Sequence, residues 1–258
     1  LYVAPHAPHV PATPASWYLN HQFKRSKAPR TPNWNASGTG KHWLLDQQPP
    51  LSEYLAKESD ELFLNRWRSL MSVDDIFEAI YKEFEALGEL DNTYFMYSSD
   101  HGYNLQEHTQ WAKFTNYNTS TQIPLIIYNP LAKSKGSTDA LTSLVDVYPT
   151  LAELCSLEVP GNQLDGTSVV PILNNPNLEG KKHIFIKKSN GFTLKTKDFS
   201  YTEFIKPQDN LTLSTMLYDH RTTKNENENI AHLKAYKKTV FELKLILHSK
   251  YHKNIVGF

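Results

Sequence analysis

Net charge is the first thing missing: 27 lysines and arginines balance 27 aspartates and glutamates in 258 residues. A general nucleic-acid binder draws its affinity from basic residues in excess, so that class is excluded. No apolar run reaches the roughly 18 residues that a transmembrane helix needs. Cysteine is almost absent. Cys155 stands alone, so no intramolecular disulfide can form and a cysteine-built metal site is not expected. Its apolar neighbours predict an ordinary buried thiol. There is no internal repeat, no initiator methionine and no signal peptide. Leu1-Tyr2-Val3-Ala4 reads as the inside of a strand, so the front of a longer protein is expected to precede it.

Aromatic residues are plentiful: 14 Tyr, 12 Phe and 5 Trp, enough to build a sizeable core. Residues 5–50 are rich in Pro, His, Asn and Trp without sustained period, a pattern that in a compact domain is usually functional. From Ser59-Asp60, Leu62, Trp67, Leu70, Val73, Ile76, Phe77, Ile80, Phe84 and Leu87 recur at helical spacing. This predicts one long amphipathic helix, capped by Ser59 or Asp60 and ended by Gly88. Thr93–Tyr97 predicts a buried strand, Ile123–Tyr128 another, and Val145–Leu157 a short helix with Pro149 in its first turn. Strand and helix alternate, so helices covering a sheet are expected. Beyond residue 176 the texture is β-like: 184–187, 192–196, 199–204 and 216–219 predict strands, with a turn at Lys197-Asp198 and a final helix around Leu243 and Leu247. The expected division is residues 1–176 and a sheet-plus-helix unit over 177–258.

The chemistry concentrates where Thr93–Tyr97 stops, at Ser99-Asp100-His101-Gly102. Open α/β sheets put ligand sites at such strand ends. A carboxylate and an imidazole there suit a divalent cation; alternatively Asp100 caps a turn and His101 is a loop histidine. Lys113, after a polar loop, can return to the same mouth as a point charge for an anion. Pro5-His6-Ala7-Pro8-His9-Val10-Pro11 holds its imidazoles between prolines, as proton or hydrogen-bond donors or simply as a surface turn. Lys41-His42-Trp43 sets cations beside an aromatic, a weak signal for a sugar or an anion. Asp74-Asp75 looks like a metal pair, but in mid-helix a solvated face or a helix-to-loop hydrogen bond is expected. Three Asn-x-Ser/Thr sequons begin at Asn35, Asn118 and Asn210, which would suit a glycoprotein.

Taken in order, these segments resemble the later two-thirds of a type I sulfatase of the alkaline-phosphatase-like superfamily. Pro5–Pro11 is similar to that family's Pro-His-x-Pro segment. Ser99–Tyr103 with Glu107-His108-Thr109-Gln110-Trp111-Ala112-Lys113 resembles its metal-and-lysine segment in an iduronate-2-sulfatase-like form. Ala28–Asn35, Gly40–Leu44, Arg66–Asp75, Gly88–Tyr94, Asp165–Leu173 and Leu217–Arg221 lean to glucosamine-6-sulfatases, although His101 stands where those carry Asn.

The resemblance implies an alkaline-phosphatase-like α/β fold, a mixed sheet sandwiched by helices, with a small C-terminal antiparallel sheet and helix. It implies sulfate-ester hydrolysis on a sulfated carbohydrate, N-acetylglucosamine 6-sulfate in glycosaminoglycans being the expected substrate, without nucleic-acid or membrane partners. Asp100 and His101 would be Ca²⁺ ligands, His9 and Lys113 catalytic, and Lys41, His42 and His108 substrate-binding. The family's nucleophile, a hydrated formylglycine, is made from Cys or Ser in a Cys/Ser-x-Pro-x-Arg motif. Cys155-Ser156-Leu157-Glu158-Val159 does not match it, and the motif is expected upstream. The alternatives are a phosphate or phosphonate monoesterase of the same superfamily, or an inactive sugar-binding fragment. A lysosomal, extracellular or periplasmic setting is expected.

Overall fold

The computed structural model describes residues 1–36, 40–41, 52–132, 136–159, 163–206 and 211–251. Helix α1 spans Glu53–Ala86 and begins six residues before the expected caps. Ser52 is the N-cap, its side chain accepting from the Leu55 N–H. Ser59 and Asp60 are engaged elsewhere: the Ser59 hydroxyl donates to the Leu105 carbonyl at 3.2 Å, and Asp60 accepts from the Ala28 N–H at 2.9 Å and from Arg30. The far end is as expected, with Gly88 at φ 71° just past the C-cap. Asp75 makes the helix-to-loop bond, accepting from the Tyr18 hydroxyl at 2.7 Å.

Strand β1 (Phe95–Ser98) pairs antiparallel with β4 (Leu125–Tyr128), Phe95 opposite Tyr128. Phe77, Tyr81 and Phe84 of α1 surround the Phe95 ring, which seats the helix on this ribbon. The ribbon is half-buried rather than buried, because it has two strands among the described residues and Tyr97, Ile126 and Tyr128 remain exposed. Between its strands, β2 (Asn104–Leu105) and β3 (Trp111–Ala112) form a minimal hairpin, followed by one helical turn, α2 (Asn118–Thr121).

Helix α3 (Val147–Leu154) is preceded by a 3₁₀ turn at Leu144–Asp146. Asp146 is buried there: it accepts from the Ser143 and Thr167 N–H groups and pairs with Lys181 at 2.7 Å. Cys155, expected to be buried, is exposed because it lies just past the end of α3. Helix α4 (Val170–Asn174) leads to a four-stranded antiparallel meander, β5 (Ile184–Lys188), β6 (Gly191–Lys195), β7 (Phe199–Lys206) and β8 (Leu211–Asp219). Period-two alternation sends Tyr201 and Ile205 to one face and Phe204 to the other. The first face packs Leu194 and Leu217 against Leu243 and Leu247 of α5 (Lys237–Tyr251). The second receives Tyr117, which is why β6 and β7 are buried on both sides. No helix among the described residues is long and apolar enough to cross a membrane.

Candidate active site

The chain running from β1 through α2 is held by a buried polar core centred on Asn104. Its amide nitrogen donates to the Ala112 carbonyl at 3.0 Å and the Ser120 hydroxyl at 2.9 Å, and its oxygen accepts from Thr119. Gly102 donates its N–H to the Ser120 carbonyl at 2.9 Å. A Cβ on Gly102 would sit 2.0 Å from the Thr119 carbonyl oxygen, so this approach admits glycine alone. Asp100 and His101 precede this core in the chain and Lys113 follows its hairpin.

Asp100 and His101 follow the end of β1, side by side. The Asp100 carboxylate accepts from the His101 N–H at 2.9 Å. His101 Nδ1 lies 2.8 Å from the Gly102 carbonyl, which can only accept, so Nδ1 carries the proton and Nε2 a lone pair. That lone pair stands 3.3 Å from Asp100 Oδ2. Two electron-pair donors at this spacing repel unless a cation or a second ring proton lies between them. The donor set therefore fits two positions of a Ca²⁺ shell, with the imidazole oriented from behind by the Gly102 carbonyl. Ca²⁺ takes about six to eight ligands, as a rule oxygens, and no group of three or more His, Cys, Asp or Glu converges among the described residues.

His9 and Lys113, 104 positions apart, meet: Lys113 Nζ lies 3.1 Å from His9 Nε2. His9 Nδ1 donates to the Val10 carbonyl at 2.7 Å, leaving Nε2 as acceptor for the ammonium. The His6 ring lies beside His9 at a tilt of 53°, ring centroids 5.0 Å apart. The prolines thus hold one imidazole against the lysine and a second next to it.

The expected substrate-binding residues sit deeper. His108 is 1% exposed, stacked on Tyr117 with centroids 3.8 Å apart, and its Nε2 accepts from Asn33 at 3.2 Å. Burial, assisted by the positive charge of Lys41, pushes the His108 imidazole down to about 3. With Asn33, Asn118, Thr119 and Glu226 it lines a cavity of about 80 Å³. Lys41 is buried too, donates to Asn227 at 3.1 Å, and is pushed down to about 8 by burial. His42 lies outside the described residues.

Two groups escaped sequence reasoning. Glu226, 2% exposed, accepts from the Asn118 N–H at 2.6 Å, lies 3.0 Å from His220 Nε2 and 3.8 Å from Lys195 Nζ. Burial alone would raise its carboxyl, but Lys195, His220 and the Asn118 N–H together hold it below its ordinary value. Lys195 also donates to Asn118 Oδ1 and to Thr121 at 2.8 Å. The Asn118 side-chain nitrogen, the atom its sequon would use, lies 3.4 Å from His220 Nε2 and donates to the Lys224 carbonyl at 3.5 Å. The second group is Arg66 of α1, between the histidine loop and Tyr103. Charged residues scattered over strands, loops and a helix carry no local pattern that would single them out.

A family model described as Sulfatase matches residues 1–157, and one described as N-sulphoglucosamine sulphohydrolase, C-terminal, matches residues 106–253. The N-acetylglucosamine-6-sulfatase of Homo sapiens is 34% identical over 190 residues, 72% of this chain and 34% of that protein. The chain thus spans about a third of the length of the curated relatives it matches. A solved structure of a protein in complex with its substrate, D-glucosamine-2-N,6-O-disulfate, superposes with TM-score 0.68 at 27% identity, covering 77% of this chain and 42% of that one. The phosphonate monoester hydrolase of Agrobacterium radiobacter shares the fold, with TM-score 0.66 and 22% identity over 80% of this chain and 45% of that one. The α/β fold with its C-terminal antiparallel sheet and helix is the one expected from the sequence.

Proposed function

The chain belongs to the sulfatase family, and from that premise we propose that the whole protein hydrolyses the sulfate ester of a sulfated amino sugar, N-acetylglucosamine 6-sulfate within glycosaminoglycans. The names of the human relative and of the substrate-bound neighbour support this substrate class. The fold alone does not decide it, since a phosphonate hydrolase shares it. The single observation that carries the reading is the 3.1 Å contact between Lys113 Nζ and His9 Nε2. It makes one site from two segments that the sequence had singled out separately.

In this reading Lys113 receives the sulfate as a fixed positive charge, already oriented by His9. His9, its Nδ1–H held by the Val10 carbonyl, would contact sulfate or the leaving sugar oxygen through Nε2, and it can pass a proton to the departing alcohol only when the imidazole is doubly protonated. Asp100 and His101 would hold Ca²⁺, which when bound neutralises charge on the transferring sulfuryl group. The formylglycine nucleophile of the family is assigned to a part of the protein outside this sequence. Lys41 and His42 are assigned to the sugar side. His108, buried and neutral, lines the polar cavity with Asn33 and Glu226. Residues 1–176 form the catalytic portion, and 177–258 the sheet-and-helix unit that supports it. Sulfated glycosaminoglycans lie outside the cytoplasm, which supports a lysosomal, extracellular or periplasmic setting.

The test is hydrolysis by the whole protein, with Ca²⁺, of N-acetylglucosamine 6-sulfate against a matched phosphonate monoester. Release of sulfate at a kcat/KM well above the phosphonate value is expected. The reverse order would assign the protein to the phosphonate side of the fold.

A further inference from the structure

Arg66 projects from the long helix into the gap between the two loops that carry the candidate catalytic and metal-ligating side chains. Its Nη1 donates to the Pro8 carbonyl at 3.1 Å, one peptide before His9. Its guanidinium lies over the Tyr103 ring, 4.3 Å from the centroid, one residue after Gly102. Among the described residues it pairs with no carboxylate, and burial lowers its pKa. A half-buried cation that holds a carbonyl and a ring face instead of an anion is expensive to keep. A leucine or methionine would fill the same space at lower cost, so packing alone does not account for it.

We propose that Arg66 is a positioning residue: it clamps the Pro5–Pro11 loop to the Asp100–Tyr103 segment and so fixes His9 against Lys113. The support behind the clamp is rigid. Phe63, one turn earlier on α1, packs with Ala28 and Leu105, and Tyr103 lies against the same cluster. One end of the bridge is therefore anchored in the core, while the other grips a short loop whose next residue is His9. The choice of arginine follows from the geometry. A planar guanidinium can stack on a ring and donate in its own plane at once, which a lysine ammonium cannot do. The His9–Lys113 contact joins an exposed imidazole to a half-exposed lysine, and among the described residues the other contacts of His9 all lie within its own turn: the His6 and Val10 carbonyls, the Ala12 N–H and the His6 ring. Without the clamp, nothing else from α1 reaches the Pro8–His9 peptide among the described residues.

The catalytic consequence rests on the sulfatase reading, whereas the clamp itself does not, and two measurements keep them apart. In the 258-residue chain, long-range ¹H–¹⁵N spectra of the imidazoles, with His9 assigned from His9→Gln, read the clamp directly. Arg66→Met should move the His9 ring signals while those of His220 and His248, at the C-terminal sheet, stay in place, and Arg66→Lys should shift them less. In the whole protein, Arg66→Met should lower kcat by about ten- to a hundredfold with KM nearly unchanged, as expected for a misplaced group. Partial recovery is expected in Arg66→Lys. If Arg66→Met does not fold, Tyr103→Leu removes the ring end alone and should give the intermediate shift. Unmoved His9 signals in a folded variant would overturn the clamp, and moved signals with an unchanged kcat in a whole protein that releases sulfate would overturn its catalytic consequence. If the wild-type whole protein shows no sulfate release, the sulfatase reading fails and the imidazole spectra alone decide on the clamp.

Discussion

Truncating Lys113 tests the charge that the site holds ready for its substrate. The side chain leaves a polar loop and fills no core position, so Lys113→Ala in the whole protein opens no cavity. A charge-assisted contact of this kind is worth about 1.5–3 kcal/mol, which corresponds to a loss of roughly ten- to a hundredfold in kcat/KM. Paired kinetics and thermal unfolding should show the first change without the second. If the loss follows unfolding instead, Lys113 is a structural residue. His108 makes the opposite kind of prediction, one about stability. The unfolded chain protonates this imidazole near its ordinary 6.5, while the folded chain resists down to about 3. In that window the unfolded state binds more protons, so stability falls as pH drops, by at most about 1.4 kcal/mol per pH unit. Urea midpoints measured from pH 7 to pH 4 should decline, and His108→Gln should flatten the slope. An equal slope in the variant would place the titration elsewhere. The two residues stand five positions apart in one motif, and no local pattern separates the half-exposed lysine from the histidine sealed beneath Tyr117.

Among the elements, the most consequential joint is the one between α2 and the C-terminal sheet. Lys195 on β6 and Glu226 after β8 are both buried and close around Asn118. Replacing Glu226 by Gln leaves the Lys195 ammonium buried with no carboxylate nearby, and breaking such a pair typically removes about 3–5 kcal/mol. Urea unfolding should register a loss of that order, and a change below about 1 kcal/mol, the range of an exposed pair, would show that water already reaches the joint. The elements themselves were largely legible. Aromatic alternation marked β6 and β7, and Gly88 marked the end of α1. The start of α1 was misread because Ser59 and Asp60 have the chemistry of caps but spend it on Leu105 and Ala28. Glu203, on β7, would pass for a solvent-facing strand residue, yet it is 1% exposed and paired with His248 of α5 at 2.7 Å. Partners so far apart in sequence leave no trace in a local pattern.

At the scale of the molecule, the expected behaviour of the 258-residue chain differs from that of the whole protein. It contains no Cys/Ser-x-Pro-x-Arg motif and, among its described residues, brings no three His, Cys, Asp or Glu side chains together around a metal position. Purified with Ca²⁺ and a chromogenic sulfate ester, it should show no turnover above blank. Turnover that disappears on Asp100→Ala would mean that the nucleophile lies within these residues after all. Family membership and fold were legible because the motifs fall in one order along the chain. The cohesion of its two ends was not. Asn33 donates to the carbonyl of Asn225, 192 positions away, Asn229 donates to the carbonyl of Gly40, and Lys41 reaches Asn227. A ribosome adding about 5–20 residues per second needs roughly 10–40 s to travel that distance. For that interval the stretch around Asn33 and Lys41 has emerged without the partners that will seal it. Its polar groups stay hydrated and its neighbours stay accessible to proteases or chaperones. The segment around Asn33 and Lys41 is thus made well before the residues that settle it.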